Sequence, residues 1–319
     1  MTKKIFPFLA AAAMMLLTAC YHDQHEEMPS EYGDQPVGYL TAQLVWDDPA
    51  DANSAIDDIR FTVSGTNGTT VTHNFTDTES AADWLQQLPV GEYDLLVTVD
   101  MDEAYGYVLE NAATRGTTRA DEATVTTALP DTRVSLAEPS SSPRQSWYAV
   151  THATVREDEI TVAEFHLQRL LSEISVIVSN VPTGAAITAS VERVASDVLL
   201  THRDGQGRYG VADREDYMTV SLGALAADPA DAATLRHDDH TLMPTASGQS
   251  RCYLTLSVTT PDGTRLTYLA DAPRMECGRT YVVELDYTKL RPYMQLEAFT
   301  INDWTEGWAI SGEIINPDR

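Results

Sequence analysis

From Gly38 onward the chain alternates between apolar and polar residues in short runs. "YLTAQLVW" and "IRFTVSG" both alternate, and "TTVTHNFT" follows the turn-like Thr66-Asn67-Gly68. "LPVGEYDLLVTVD" supplies a turn and a further strand. A period of two, β-branched residues and Gly- or Pro-containing punctuation predict half-buried strands joined by turns. Ser80 to Gln87 predicts one short helical turn. Residues 111–146, with "TRGTTRADEATVTT" and "PSSSPR", are poor in apolar residues and predict a long loop carrying one or two edge strands.

A second β run begins near Val162. "VAEFHLQRLLSEISVIVSNVP" alternates strongly from Leu170 to Val178, and "AAITASVERV" continues the pattern. The middle, "THRDGQGRYG" and "ALAADPADAATLRHDDH", predicts loops. "RCYLTLSVTTPDGTRLTYLAD" predicts a hairpin turning at Pro261-Asp262-Gly263, followed by "TYVVELDY" and a closing "YMQLEAFTINDWTEGWAI". Helical periodicity is scarce. The fold class expected is mainly β, as two tandem β-sandwich domains. A short internal likeness fits two units: Gly91 and Tyr93 in the first half match Gly278 and Tyr281 in the second, each ahead of a β-branched strand.

The N-terminus departs from this pattern. Lys3 and Lys4 precede an apolar run from Ile5 to Leu16, which is shorter than the roughly 20 residues that span a bilayer. The run ends in Leu17-Thr18-Ala19-Cys20, which resembles the lipobox of bacterial lipoproteins, where the cysteine sulfur receives a diacylglycerol. The other reading is an ordinary signal peptide cut after Ala19, with Cys20 left for a disulfide. Two or three acyl chains would anchor the protein stably. Tyr21 to Val37 is acidic and without periodicity, as a flexible stalk is. The expected division is a signal peptide at 1–19, a stalk at 20–37, one sandwich at 38–161 and another at 162–319.

Composition narrows the partners. A net charge of -27 over 319 residues repels phosphate backbones and anionic lipid, so no nucleic acid is expected and any membrane link must be apolar or covalent. Beyond Cys20, Cys252 and Cys277 remain, both in predicted strands. They are either a disulfide, which export permits, or two buried thiols.

The chain carries no GxSxG, HExxH, P-loop or GxGxxG sequence. Neither an enzyme nor a cofactor is expected. His237-Asp238-Asp239-His240 offers metal-ligating types, but neighbours on an extended segment point to opposite faces. "WDDPADANSAIDDI", with Asp47, Asp48, Asp51, Asp57 and Asp58, is oxygen-rich enough for calcium, yet lacks the EF-hand pattern and also suits plain turns. Trp147, Tyr148, Trp304 and Trp308 could stack on sugar or pack in strands. A hydrolase would need His202, His237 or His240 gathered with carboxylates.

Three stretches carry a likeness to a known family: "FHLQRLLSEISVIV", "MECGRTYVVELDY" and "FTINDWTEG", with "AQLVWDDPADANSAIDDIRFTVSG" at the front. Together with the lipobox they resemble the fimbrillin superfamily of Bacteroidales, especially its anchor-type lipoproteins. The resemblance implies transthyretin-like sandwiches, export as a lipoprotein, and engagement of fimbrial subunits by β-strand addition. In that family a Lys- or Arg-directed protease trims stalk subunits, whereas anchors keep their lipid. No Lys or Arg occurs from Cys20 to Ile59, which fits an uncut anchor. Asp23, Glu26 and Glu27 also resemble a surface-export signal, implying an outer-membrane lipoprotein that faces the cell exterior. The rival expectation is a glycan-binding outer-membrane lipoprotein of a polysaccharide-uptake system.

Overall fold

A computed structural model describes residues 32–66, 68–111, 129, 131–212 and 217–292. Nearly all its regular structure is β. The largest sheet runs β3 (Thr70–Phe75), β2 (Ile59–Gly65), β5 (Gly91–Val99), β8 (Trp147–Val155), β9 (Ile160–Arg169), β1 (Val37–Trp46) and β4 (Leu85–Pro89). β8 and β9 share only two residue pairs, Trp147 with Arg169 and Tyr148 with Gln168. There the sheet folds over on itself. Phe61 of β2 stacks on Phe165 of β9 across the fold, with centroids 5.4 Å apart, so the two halves form a sandwich. Ile59, Phe61, Val63, Tyr93, Leu95 and Phe165 are among the buried residues of this first core. The helical turn expected at Ser80–Gln87 is α1 (Thr78–Ala82), capped by Asp77, which accepts from the Ser80 N–H at 2.7 Å; β4 follows it directly.

The second core lies among three four-stranded sheets. One runs β15 (Ala226–Asp228), β16 (Asp231–Leu242), β10 (Ser172–Ser179), β19 (Thr280–Asp286); another runs β14 (Tyr217–Ala224), β11 (Ala186–Ala195), β17 (Cys252–Thr259), β18 (Arg265–Ala272). The third runs β13 (Tyr209–Ala212), β12 (Asp197–Arg203), β7 (Thr132–Leu136), β6 (Tyr107–Asn111). The β17–β18 hairpin turns as expected, with the Gly263 N–H donating to Thr260 at 2.9 Å and Gly263 at φ +85°.

Three features differ from the sequence expectation. β9, placed at the head of the second unit, pairs within the sheet of the first core, because Ala163, Phe165 and Leu167 on its alternate positions are buried there. β6, which ends where the expected loop begins, and β7, within the stretch expected to carry edge strands, carry Tyr107, Val134 and Leu136 into the second core, β7 as an inner strand between β12 and β6. The Gly–Tyr likeness is not a structural repeat. β5 is antiparallel to β2 and β8, whereas β19 is parallel to β10. What the two tyrosines share is a local tie: Tyr93 Oη donates to the Pro89 carbonyl at 2.7 Å, and Tyr281 Oη accepts from the Glu276 N–H at 3.0 Å. The architectural repeat is elsewhere. The first strand around each core pairs in parallel with the strand that closes it, β1 with β9 and β10 with β19.

Candidate functional site

The acidic loop after β1 is committed to arginine and tryptophan. Asp48 caps the 3-10 turn Pro49–Asn53 by accepting from the Ala50 N–H at 2.9 Å. The turn points Asp51 inward, where it is 5% exposed. Trp147 Nε1–H donates to its Oδ2 at 2.8 Å, while Arg169 donates from Nε to Oδ2 at 2.8 Å and from Nη2 to Oδ1 at 2.6 Å. This two-pronged geometry is the strong form of an arginine–carboxylate contact. Trp46, at the end of β1, packs edge-on against Trp147, with centroids 5.4 Å apart. A second clamp lies nearby. Asp100, fully buried at φ +51°, accepts the Asp57 and Asp58 N–H groups at 3.0 Å each and Arg144 Nη2 at 2.5 Å. The loop considered for calcium is thus an anchoring point for two arginines. Arg144 and Asp100 carried no sequence signal beyond their charge.

The histidine motif is arranged differently from expectation. A bulge in β16 shifts register between Ile174 and Val176 of β10, with Asp239 at φ +54°. The extra residue puts His237 and His240 on one face, with Nε2 and Nδ1 3.2 Å apart. Burial, and secondarily His237, holds the His240 pKa down to about 4. Both carboxylates of the motif point elsewhere: Asp238 accepts from Arg236 at 2.7 Å and Asp239 from Ser175 at 3.1 Å. His202 pairs with Asp131 at 2.7 Å on the surface. Among the described residues no group of three or more His, Cys, Asp or Glu side chains could hold a metal ion.

Trp147 and Tyr148 are 4% and 1% exposed, so neither offers a platform to a sugar. Tyr148 instead reaches the second core and donates to the Tyr209 carbonyl of β13 at 2.9 Å. Trp304 and Trp308 lie outside the described residues, as do Cys20 and the "FTINDWTEG" stretch. Cys252 and Cys277 both carry free thiols. Cys252 is buried and 2.9 Å from Thr245 Oγ1; burial raises its pKa and pushes that of Cys277 up to about 12.

The arrangement of the N-terminal strand is the part with consequences for assembly. β1 runs parallel to β9 from Tyr39 to Trp46 and antiparallel to β4 from Val37 to Thr41. Among the described residues it is an inner strand for its first half and an edge for its second.

The sequence of these elements matches a known family. The model of the fimbrillin-A associated anchor proteins Mfa1 and Mfa2 aligns with residues 71–308. The chain belongs to this family. A surface role in adhesion follows for this member of the Mfa1 and Mfa2 anchor proteins. Its sheets also resemble solved structures. A candidate adhesin of Bacteroides ovatus matches with TM-score 0.49 and 13% identity over 75% of this chain and 84% of that one. A candidate adhesin of Bacteroides thetaiotaomicron matches with TM-score 0.48 and 12% identity over 81% and 94%. The fimbrial anchor protein Mfa2 of Porphyromonas gingivalis matches with TM-score 0.42 and 15% identity over 73% and 82%. No curated protein matches the chain.

Proposed function

We propose that this Mfa1/Mfa2-family protein is an uncut, non-enzymatic fimbrial anchor subunit. It is held in the outer membrane by lipid on Cys20 and engages a neighbouring subunit by β-strand addition. After the signal peptide and the acidic stalk, each of the two cores is one β-sandwich domain.

The observation that carries this reading is the position of Arg60. It is the first Lys or Arg after Cys20. It lies within β2, opposite Asn74 of β3 on one side and Thr98 of β5 on the other. A protease must draw an extended backbone into its cleft, and a strand hydrogen-bonded on both edges cannot be drawn out without unfolding the sheet. Cutting there would also remove β1, whose Leu40 and Ala42 are buried in the first core. The N-terminal segment therefore stays attached, and a lipid on Cys20 stays attached with it.

Deleting the gene in a fimbriated host tests the reading. Fimbriae should be released into the medium or grow longer. Fimbriae of unchanged length and retention would remove it.

A further inference from the structure

A groove of about 460 Å3 runs beside the second half of β1. It is lined by Ala42, Leu44 and Trp46 of β1 together with Ile56, Asp77 and Ala82, and by polar Gln43, Ser54 and Thr78. β4 stops pairing with β1 at Thr41, where Trp84 turns the chain away and its carbonyl accepts from Thr41 Oγ1 at 2.8 Å. No strand among the described residues pairs with this edge of β1 from Ala42 to Trp46. The direction of the backbone follows from the other edge. Tyr39 and Asp47 donate their N–H groups toward β9, at 2.8 and 3.2 Å. Strand alternation then turns the N–H and C=O groups of Ala42, Leu44 and Trp46 into the groove. A row of backbone donors and acceptors unpaired among the described residues, along a slot lined by both apolar and polar side chains, is a template for one more strand. Five residues at about 3.3 Å each make it roughly 17 Å long.

Charge selects the occupant. Asp77, which lines the groove, and its neighbours Glu79 and Asp83 stand exposed around α1. No Lys or Arg occurs from Ile5 to Ile59 or from Phe61 to Thr114, a span that includes every residue lining the groove. A second copy of this chain would bring its own charge of -27. A segment with alternating apolar residues and flanking Lys or Arg would be drawn in.

We infer that this slot beside β1 is a strand-docking site for an extended, basic-flanked segment of a partner protein. The inference rests on the reading of the chain as an anchor that takes a neighbour's strand, and it gives that contact a place.

Hydrogen exchange on the full-length protein tests it, with the peptide acetyl-Lys-Thr-Val-Thr-Val-Thr-Lys-amide as probe. The Ala42, Leu44 and Trp46 amides should exchange freely in the protein alone and slow at least tenfold with the peptide. A Glu-flanked version should bind at least tenfold more weakly. Ala82→Trp, which fills the slot from an exposed position, should abolish the protection without changing Tm. The inference is overturned if the three amides are already protected in the free chain, which would mean that its own residues 1–31 or 293–319 close the slot. Equal binding of the Glu-flanked peptide, or protection that survives Ala82→Trp, overturns it too. So does self-association through the slot as the only binding seen. In the host, fimbriae retained by an Ala82→Trp strain but shed on gene deletion would sink the slot and leave the anchor reading standing. Retention in both strains would sink the anchor reading itself.

Discussion

Arg169 grips both carboxylate oxygens of Asp51, which lies 118 residues earlier in the chain. The contact joins the end of β9 to the turn after β1, the same two strands that lie in parallel register. Asp51 also accepts Trp147 Nε1–H, so one buried carboxylate fixes β1, β8 and β9 at the point where the sheet folds over. Asp51→Ala would leave the Trp147 indole N–H without its acceptor and the Arg169 guanidinium with only Asp48, 3.3 Å away. Breaking a buried pair by removing one partner costs about 3 kcal/mol or more. Urea denaturation of D51A should show a loss of that order; a loss below about 0.5 kcal/mol would mean that the clamp does not hold the fold.

The contact between the cores gives a second prediction. Gly210 of β13 has φ +89°, and a Cβ there would collide with the Tyr148 hydroxyl. G210A meets both a left-handed backbone and an occupied space, so a loss of roughly 1–3 kcal/mol is expected. Tyr148→Phe keeps the ring and removes the bond to the Tyr209 carbonyl, and should cost only about 1 kcal/mol. If the two variants are equally stable, the close packing of β8 on β13 is not real.

Acid should weaken the protein through His240. Its folded-state pKa is depressed from 6.5 to about 4 by burial, and its Nε2 has no hydrogen-bond partner among the described residues. As pH falls below 6.5 the unfolded chain takes up a proton that the folded chain refuses. The stability tied to His240 is therefore whole above pH 6.5 and is lost as pH falls toward 4, by about 3 kcal/mol in all. His240→Phe should flatten the stability curve between pH 6.5 and 4 relative to wild type. Parallel curves for the two proteins would show that His240 does not titrate as described.

Cys252 and Cys277 supply a chemical check. Burial disfavours both thiolates. Neither should react with iodoacetamide at pH 8 in the native protein, and both should react in denaturant without a reductant. Unreactive cysteines in unreduced, denatured protein would reveal a disulfide.

Strands with regular alternation were legible in the sequence: β1, β2 and the β17–β18 hairpin follow their apolar periods and turn residues. β16 was not. Its Asp231–Leu242 stretch is rich in Asp, Arg and His, and the bulge at Asp239 breaks the alternation midway. Pairing with β10 and β15 makes it a strand in spite of its composition. The same bulge brought His237 and His240 together, which a regular strand forbids. A strand near β7 was expected, but its inner place between β6 and β12 was hidden, because its pairing with β12 is non-local, across about 60 residues. The absence of Lys and Arg between Cys20 and Arg60 was plain in the sequence. That Arg60 is locked between β3 and β5 could only be seen in the fold.

The central claim is an N-terminus kept whole and lipid-bound, and mass spectrometry of the mature protein from its native membrane tests it most directly. The account predicts an acylated Cys20 followed by an intact Tyr21 to Ile59. An unacylated chain beginning at Phe61 would contradict it.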